Sequence, residues 1–166
     1  MPLSELKDLM LRSPRWTLAV AESLTSGRLQ ALVGAIPGAS NFFLGGLTAY
    51  NLDQKVGLLG VDRAGAAAVN CVSAAVAEQM ARGVSERFGS DFGVATTGYA
   101  EPSPDFSVAI PFAWWAVAQR RADGTYLTRS GRLDCPGASR VGVQDQAAAA
   151  AYAGLVEFVS HLRSSP

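Results

Sequence analysis

The chain has 166 residues, 49% hydrophobic and 17% charged, the balance expected of one compact α/β domain spanning 1–166 with a sizeable core. Its 14 basic residues are matched by 14 acidic ones. No global field therefore gathers nucleic acid or an anionic membrane, and any anionic ligand must be held locally. Residues 1–13 carry charges throughout and lack the apolar core of a signal peptide, and no later run is long enough to span a bilayer. The expectation is a cytoplasmic protein with no nucleic-acid or membrane partner. Cys71 and Cys135 are isolated, and there is a single histidine. Neither a disulfide framework nor a zinc site follows, inert packing is expected of both thiols, and no metal or cofactor is called for.

Leu3, Leu6, Leu9 and Met10 have helical spacing, with Ser4 placed to cap. Residues 17–21 form a short apolar strand. Residues 27–36 then read as a helix, stopped by Pro37 and Gly38. A second strand ends near Tyr50, with Gly45 and Gly46 marking a bend or a close backbone approach. Asn51 opens a short helix closed by Gly60, and Ser73 caps a longer one in which Val76, Met80, Val84 and Phe88 share a face until Gly89. Residues 91–97 form a third strand, followed by a long loop with two prolines. Two β-rich runs flank Asp123 and Gly124, a hairpin signal, and an alanine-rich helix runs on from Gln144. This alternation predicts a three-layer α/β/α sandwich on a mixed, mostly parallel sheet ending in an antiparallel hairpin.

Two constellations carry chemistry. The stretch AESLTSG at 21–27 crowds Ser23, Thr25 and Ser26 between a strand and a helix start. Unpaired N–H groups and hydroxyls there can cradle a phosphate or carboxylate, or the hydroxyls can simply cap the helix. The second is PGAS at 37–40, followed by Tyr50 and Lys55. A lysine whose amine is kept neutral by a dry pocket can activate a serine; the plainer reading makes Ser40 a cap and Lys55 a solvated helix residue.

The order AES-x-T-x-G, PG-x-S-x-x-F, G-x-x-x-Y-x-x-x-x-K-x-x-x-LGV, VS and TG-x-A-x-P resembles the CinA C-terminal domain family over most of the chain. Active members of that family are nicotinamide-nucleotide amidases, which hydrolyse the carboxamide of nicotinamide mononucleotide to nicotinic acid mononucleotide and ammonia. The resemblance implies Ser40 as nucleophile, with Tyr50 and Lys55 as its activating neighbours. It places Glu22, Ser23 and Thr25 in a substrate loop facing Thr97 and Gly98, and it implies a homodimer or higher homo-oligomer with a small nucleotide-like substrate.

This chain also departs from the family pattern. Leu24 and Ser26 replace the cysteine and first glycine of ESCTGG. In the loop after Thr97, Glu101 replaces a glycine and Ile110 a lysine, while Gly45 and Gln144 stand at or near positions where arginines are expected. A carboxylate beside a phosphate is costly to desolvate, which leaves Arg140 as the cation to meet one. Two readings follow: an amidohydrolase with an altered substrate, or a CinA-like domain that binds a nucleotide or a protein without chemistry. Trp114 and Trp115 alternate along one strand, so one is expected in the core and the other at the surface.

Overall fold

The structure is a computed structural model that describes residues 4–164; Leu3 lies outside the described residues. Helix α1 (Ser4–Leu11) leads into strand β1 (Leu18–Glu22), followed by α2 (Arg28–Gly34) and β2 (Phe43–Thr48). Helices α3 (Leu52–Leu59), α4 (Arg63–Ala68) and α5 (Ala74–Phe88) precede β3 (Phe92–Tyr99). The chain closes with the hairpin of β4 (Phe112–Arg120) and β5 (Tyr126–Asp134) and the long helix α6 (Arg140–Ser164).

The sheet order is β2-β1-β3-β4-β5. Strand β1 pairs in parallel with both β2 and β3, whereas β3/β4 and β4/β5 are antiparallel, so β4 alone opposes the common direction. The expected sandwich is thus present, with a core on each face. Because strand residues alternate, Leu18 and Val20 of β1 join the core under α1, α2 and α6, while Ala19 and Ala21 join the core under α3, α4 and α5. The second core is built of small residues, which lets α5 lie close to the sheet. A methyl group at Gly93 would come within 1.9 Å of the Ala81 carbonyl oxygen, and one at Gly83 within 1.9 Å of that of Leu59. Neither Trp114 nor Trp115 is a free surface ring. Trp115 packs under α6, where a Cβ at Gly154 would fall 2.5 Å from its ring, and Trp114 packs against the opposite core.

The glycines of β2 mark a bulge. The register passes from Leu18↔Phe43 to Ala19↔Gly45, leaving Leu44 exposed, and Gly45 has φ +136°. Other departures from the expected elements have local causes. Asp62 caps the short α4 by accepting from the Gly65 N–H, a helix the alanine run RAGAAA had not suggested on its own. Ser139 Oγ accepts from the Gly142 N–H and starts α6 at Arg140, ahead of Gln144. At the far end of α6, Arg163 donates to the carbonyls of Leu9, Arg12 and Pro14 and stacks 3.4 Å over the Trp16 ring, fastening that helix to the α1–β1 connection. Among the described residues no helix is long and apolar enough to cross a membrane.

The C-terminal ends of β1, β2 and β3 face one way. The chain leaves β1 toward β2 on one side and returns to β3 on the other, so the connections diverge and leave a crevice there, as at the switch point of open α/β sheets. The close seat of α5 predicts that Gly93→Ala destabilises the protein by about 1–3 kcal/mol or more, since backbone rather than a flexible side chain meets the new methyl. A fall in the urea midpoint at unchanged slope would measure it; an unchanged midpoint would mean that α5 yields freely.

Candidate functional site

At these strand ends lies a cleft of about 420 Å³. Its floor is made by Ser23, Lys55 and Thr97, and its mouth by Tyr50, Glu101 and Arg140. Lys55 stands on α3, whose start is fixed by the Asn51 side chain accepting from the Gln54 N–H. Although α3 lies at the surface, Lys55 is only 1% exposed. Its Nζ donates to Ser23 Oγ at 2.8 Å, to the Ala49 carbonyl at 2.8 Å and to the Tyr50 carbonyl at 3.1 Å. Burial lowers its pKa from 10.5 to about 8, with nearby Cys71 acting in the opposite sense.

The serine of this pair is Ser23, not Ser40. Ser40 lies in the 3-10 turn Ala39–Asn41, exposed, just before β2 begins, and Lys55 follows after β2 ends. The six residues of β2 at about 3.3 Å each put roughly 20 Å between the two ends of the strand. The expected Ser40–Lys55 pair is therefore not formed within the chain. Tyr50 contributes its backbone carbonyl to Lys55, while its side chain is 53% exposed and its hydroxyl accepts from Arg140 at 2.9 Å.

The loop after β1 divides its hydroxyls between cleft and core. The Glu22 carboxylate is fully buried, and its Oε2 accepts from Thr25 Oγ1, Gly27 N and Leu29 N. Its Oε1 accepts from both the backbone and side-chain nitrogens of Gln30. Left-handed conformations at Ser26 (φ 47°) and Gly27 (φ 99°) fold the chain back to make this possible. Thr25 Oγ1 also lies 2.8 Å from Thr96 Oγ1. Glu22 and Thr25 are thus corrected from substrate ligands to internal supports. The donors at the start of α2, expected to cradle an anion, are already taken by the protein's own carboxylate. Ser23 remains to face the cleft.

Thr97 and Gly98 both line the cleft, with Thr97 donating to the Cys71 carbonyl at 2.7 Å. That bond holds a segment the sequence reading had not placed in the site. Asn70 and Cys71 both have positive φ, 47° and 62°, and both line the cleft. The one sequence signal for it was an asparagine, tolerant of left-handed backbone, after the alanine run. Cys71 is half-exposed in the cleft, whereas Cys135 is buried as expected, with its thiol pKa pushed up chiefly by burial.

Arg140 donates to Glu101 Oε1 at 2.7 Å and reaches the cleft mouth from the first residue of α6. The three positions at which the family pattern has cations, those of Gly45, Ile110 and Gln144, lie outside the cleft lining. A Cβ at Gly45 would meet Phe88, Gln144 is 8% exposed and does not line the cleft, and Ile110 lines a neighbouring groove with Phe112 and Arg132. A lysine at 110 would enter that groove instead. Among the described residues no group of His, Cys, Asp and Glu side chains could hold a metal ion.

The CinA C-terminal domain family matches residues 2–159. The chain belongs to this family. A CinA-like protein of Chlorobium limicola is 40% identical over 141 residues, covering 81% of this chain and 32% of that one. One of Synechocystis is 50% identical over 93 residues, covering 56% of this chain and 22% of that one. The chain thus spans about a third or less of the length of these relatives. Among solved structures, the competence damage-inducible protein A (ComA) of Klebsiella pneumoniae superposes with a TM-score of 0.81 at 28% identity, covering 96% of this chain and 95% of that one. The CinA fold of this chain is thus held at its β1–α2 turn by a carboxylate. Glu22→Ala, which strands several buried donors at once, should lower stability by about 3 kcal/mol or more. Urea denaturation measures this, and a loss below about 1 kcal/mol would mean that water replaces the carboxylate.

Proposed function

We propose that the chain is a CinA-like amidohydrolase acting on a ribose-linked carboxamide of the nicotinamide mononucleotide kind, with Ser23 as nucleophile and Lys55 as general base. The single observation that carries this reading is the hydrogen bond between the buried Lys55 amine and Ser23 at the cleft floor. Two carbonyls hold two of the amine's hydrogens. When the third proton leaves, the lone pair is directed at the serine hydroxyl.

The reaction then runs as acyl transfer. Ser23 Oγ adds to the carboxamide carbon as its proton passes to Lys55 Nζ. The adduct collapses as that proton moves to the departing nitrogen, releasing ammonia and leaving an ester on Ser23. Water, giving its proton to Lys55, adds to the ester carbon; the carboxylate product leaves and the proton returns to Ser23. No cofactor enters any step.

A second reading draws on the same lysine. Three acceptors around Nζ favour the ammonium, which is no base, and a domain that only binds would keep it so. Ammonia release separates the two, since a binding domain saturates with ligand and releases none.

If neutral Lys55 is the base, kcat/KM should rise with pH and level off above about 8, because the deprotonated fraction grows through the depressed pKa of about 8. Ser23→Ala and Lys55→Met should each lower kcat by roughly 100-fold or more with the fold intact. Ser40→Ala, at the other end of β2, should stay near wild type. An active Ser23→Ala beside an inactive Ser40→Ala would overturn the assignment of the nucleophile.

A further inference from the structure

The cleft is poor in charge available to an anion. Among the described residues only two cations line it, Lys55 and Arg140. The donors of Lys55 are spent on Ser23, Ala49 and Tyr50. Arg140 gives one N–H to the Glu101 carboxylate and another to the Tyr50 hydroxyl. Helix starts nearby also spend donors within the protein: α2 gives the N–H groups of Gly27, Leu29 and Gln30 to Glu22, while α3, α5 and α6 each give one, from Gln54, Val76 and Gly142, to Asn51, Ser73 and Ser139. A phosphate carries a charge of about −1.5 to −2. To reach Arg140 it would have to lie beside Glu101 or displace it.

Glu101 also presents its acceptors at the mouth, with 63% of its side chain exposed. A carboxylate so placed suits a sugar hydroxyl, which donates to it without competing for Arg140. The volume of about 420 Å³ accommodates a nucleoside-sized ligand. We infer that Glu101 sets the ligand class of this cleft: an unphosphorylated carboxamide nucleoside, whose ribose hydroxyls donate to the Glu101 carboxylate, is taken in preference to its 5′-phosphate. The inference rests on the carboxamide reading of the site and narrows it. Glu101 is a specificity residue in this scheme, since it meets the sugar end and not the reacting carbon.

Nicotinamide riboside and nicotinamide mononucleotide differ only by the phosphate and serve as the probes. Calorimetric titration at fixed low salt should give wild-type binding at least tenfold tighter for the riboside. Glu101→Gln removes the charge at an exposed position and frees Arg140, so mononucleotide binding should tighten about tenfold while the riboside changes little or weakens. Adding Arg140→Gln to that variant should cancel the gain, which identifies Arg140 as the cation that takes the phosphate. Ammonia release is read in parallel on both probes. If neither probe releases ammonia while the binding ratios behave as stated, the amidase reading fails and the selectivity stands. Tighter wild-type binding of the mononucleotide, a ratio unmoved by Glu101→Gln, or binding of neither probe would overturn the inference.

Discussion

The site depends on one buried anion. Glu22 ends the central parallel strand β1 and spends both carboxylate oxygens on the turn that follows and on the first N–H groups of α2. A carboxylate at a helix start is favoured by the macrodipole and by the donors left unpaired there. Its burial is therefore compensated, where a bare buried charge would not be. The geometry of neighbouring residues follows from this anchor. With Glu22 turned under the helix and Thr25 tied to Glu22 and Thr96, Ser23 is the hydroxyl of this loop that lines the cleft.

The second buried charge is handled differently. Among the described residues the partners of the Lys55 amine are two carbonyls and a hydroxyl, none of them a carboxylate. Neutral acceptors satisfy its hydrogens but do not offset the desolvation of its charge, so its pKa falls. Glu22 and Lys55 thus stand on two sides of one short loop with opposite settlements, the carboxylate in a full ring of donors and the amine left easy to discharge. This contrast makes the loop a candidate for proton transfer and not merely a capped turn.

Much of the fold was legible because its signals are local. Asn51, Ser73, Gly60 and Gly89 cap their helices as their residue types suggest, and Asp123 with Gly124 turns the hairpin. The two-core architecture follows from short apolar strands alternating with helices. The site was less legible because it depends on direction. Ser40 and Ser23 both stand near strand termini, but Ser40 precedes β2 and Ser23 follows β1, and in parallel strands that difference is the full length of a strand. Glu22 was readable as a loop residue but not as the carboxylate of a cap, since its partners lie up to eight residues ahead and require two left-handed residues in between. The Asn70–Cys71 segment is held at the cleft by the hydrogen bond from Thr97 to the Cys71 carbonyl and by that from Asn70 to the Tyr99 hydroxyl, contacts across 26 and 29 residues that no spacing announces.

Helix α6 joins the two poles of the molecule. Its first residue, Arg140, stands at the cleft mouth, and Arg163, near its other end, is clamped to the α1–β1 connection. At 1.5 Å per residue its 25 residues span about 37 Å. Glu5 of α1 shares a surface groove with Ser160 and Ser164 of α6, so the first and last described turns of the chain lie side by side, away from the mouth. The two ends of the described chain therefore share one pole, and the cleft mouth stands at the other end of α6.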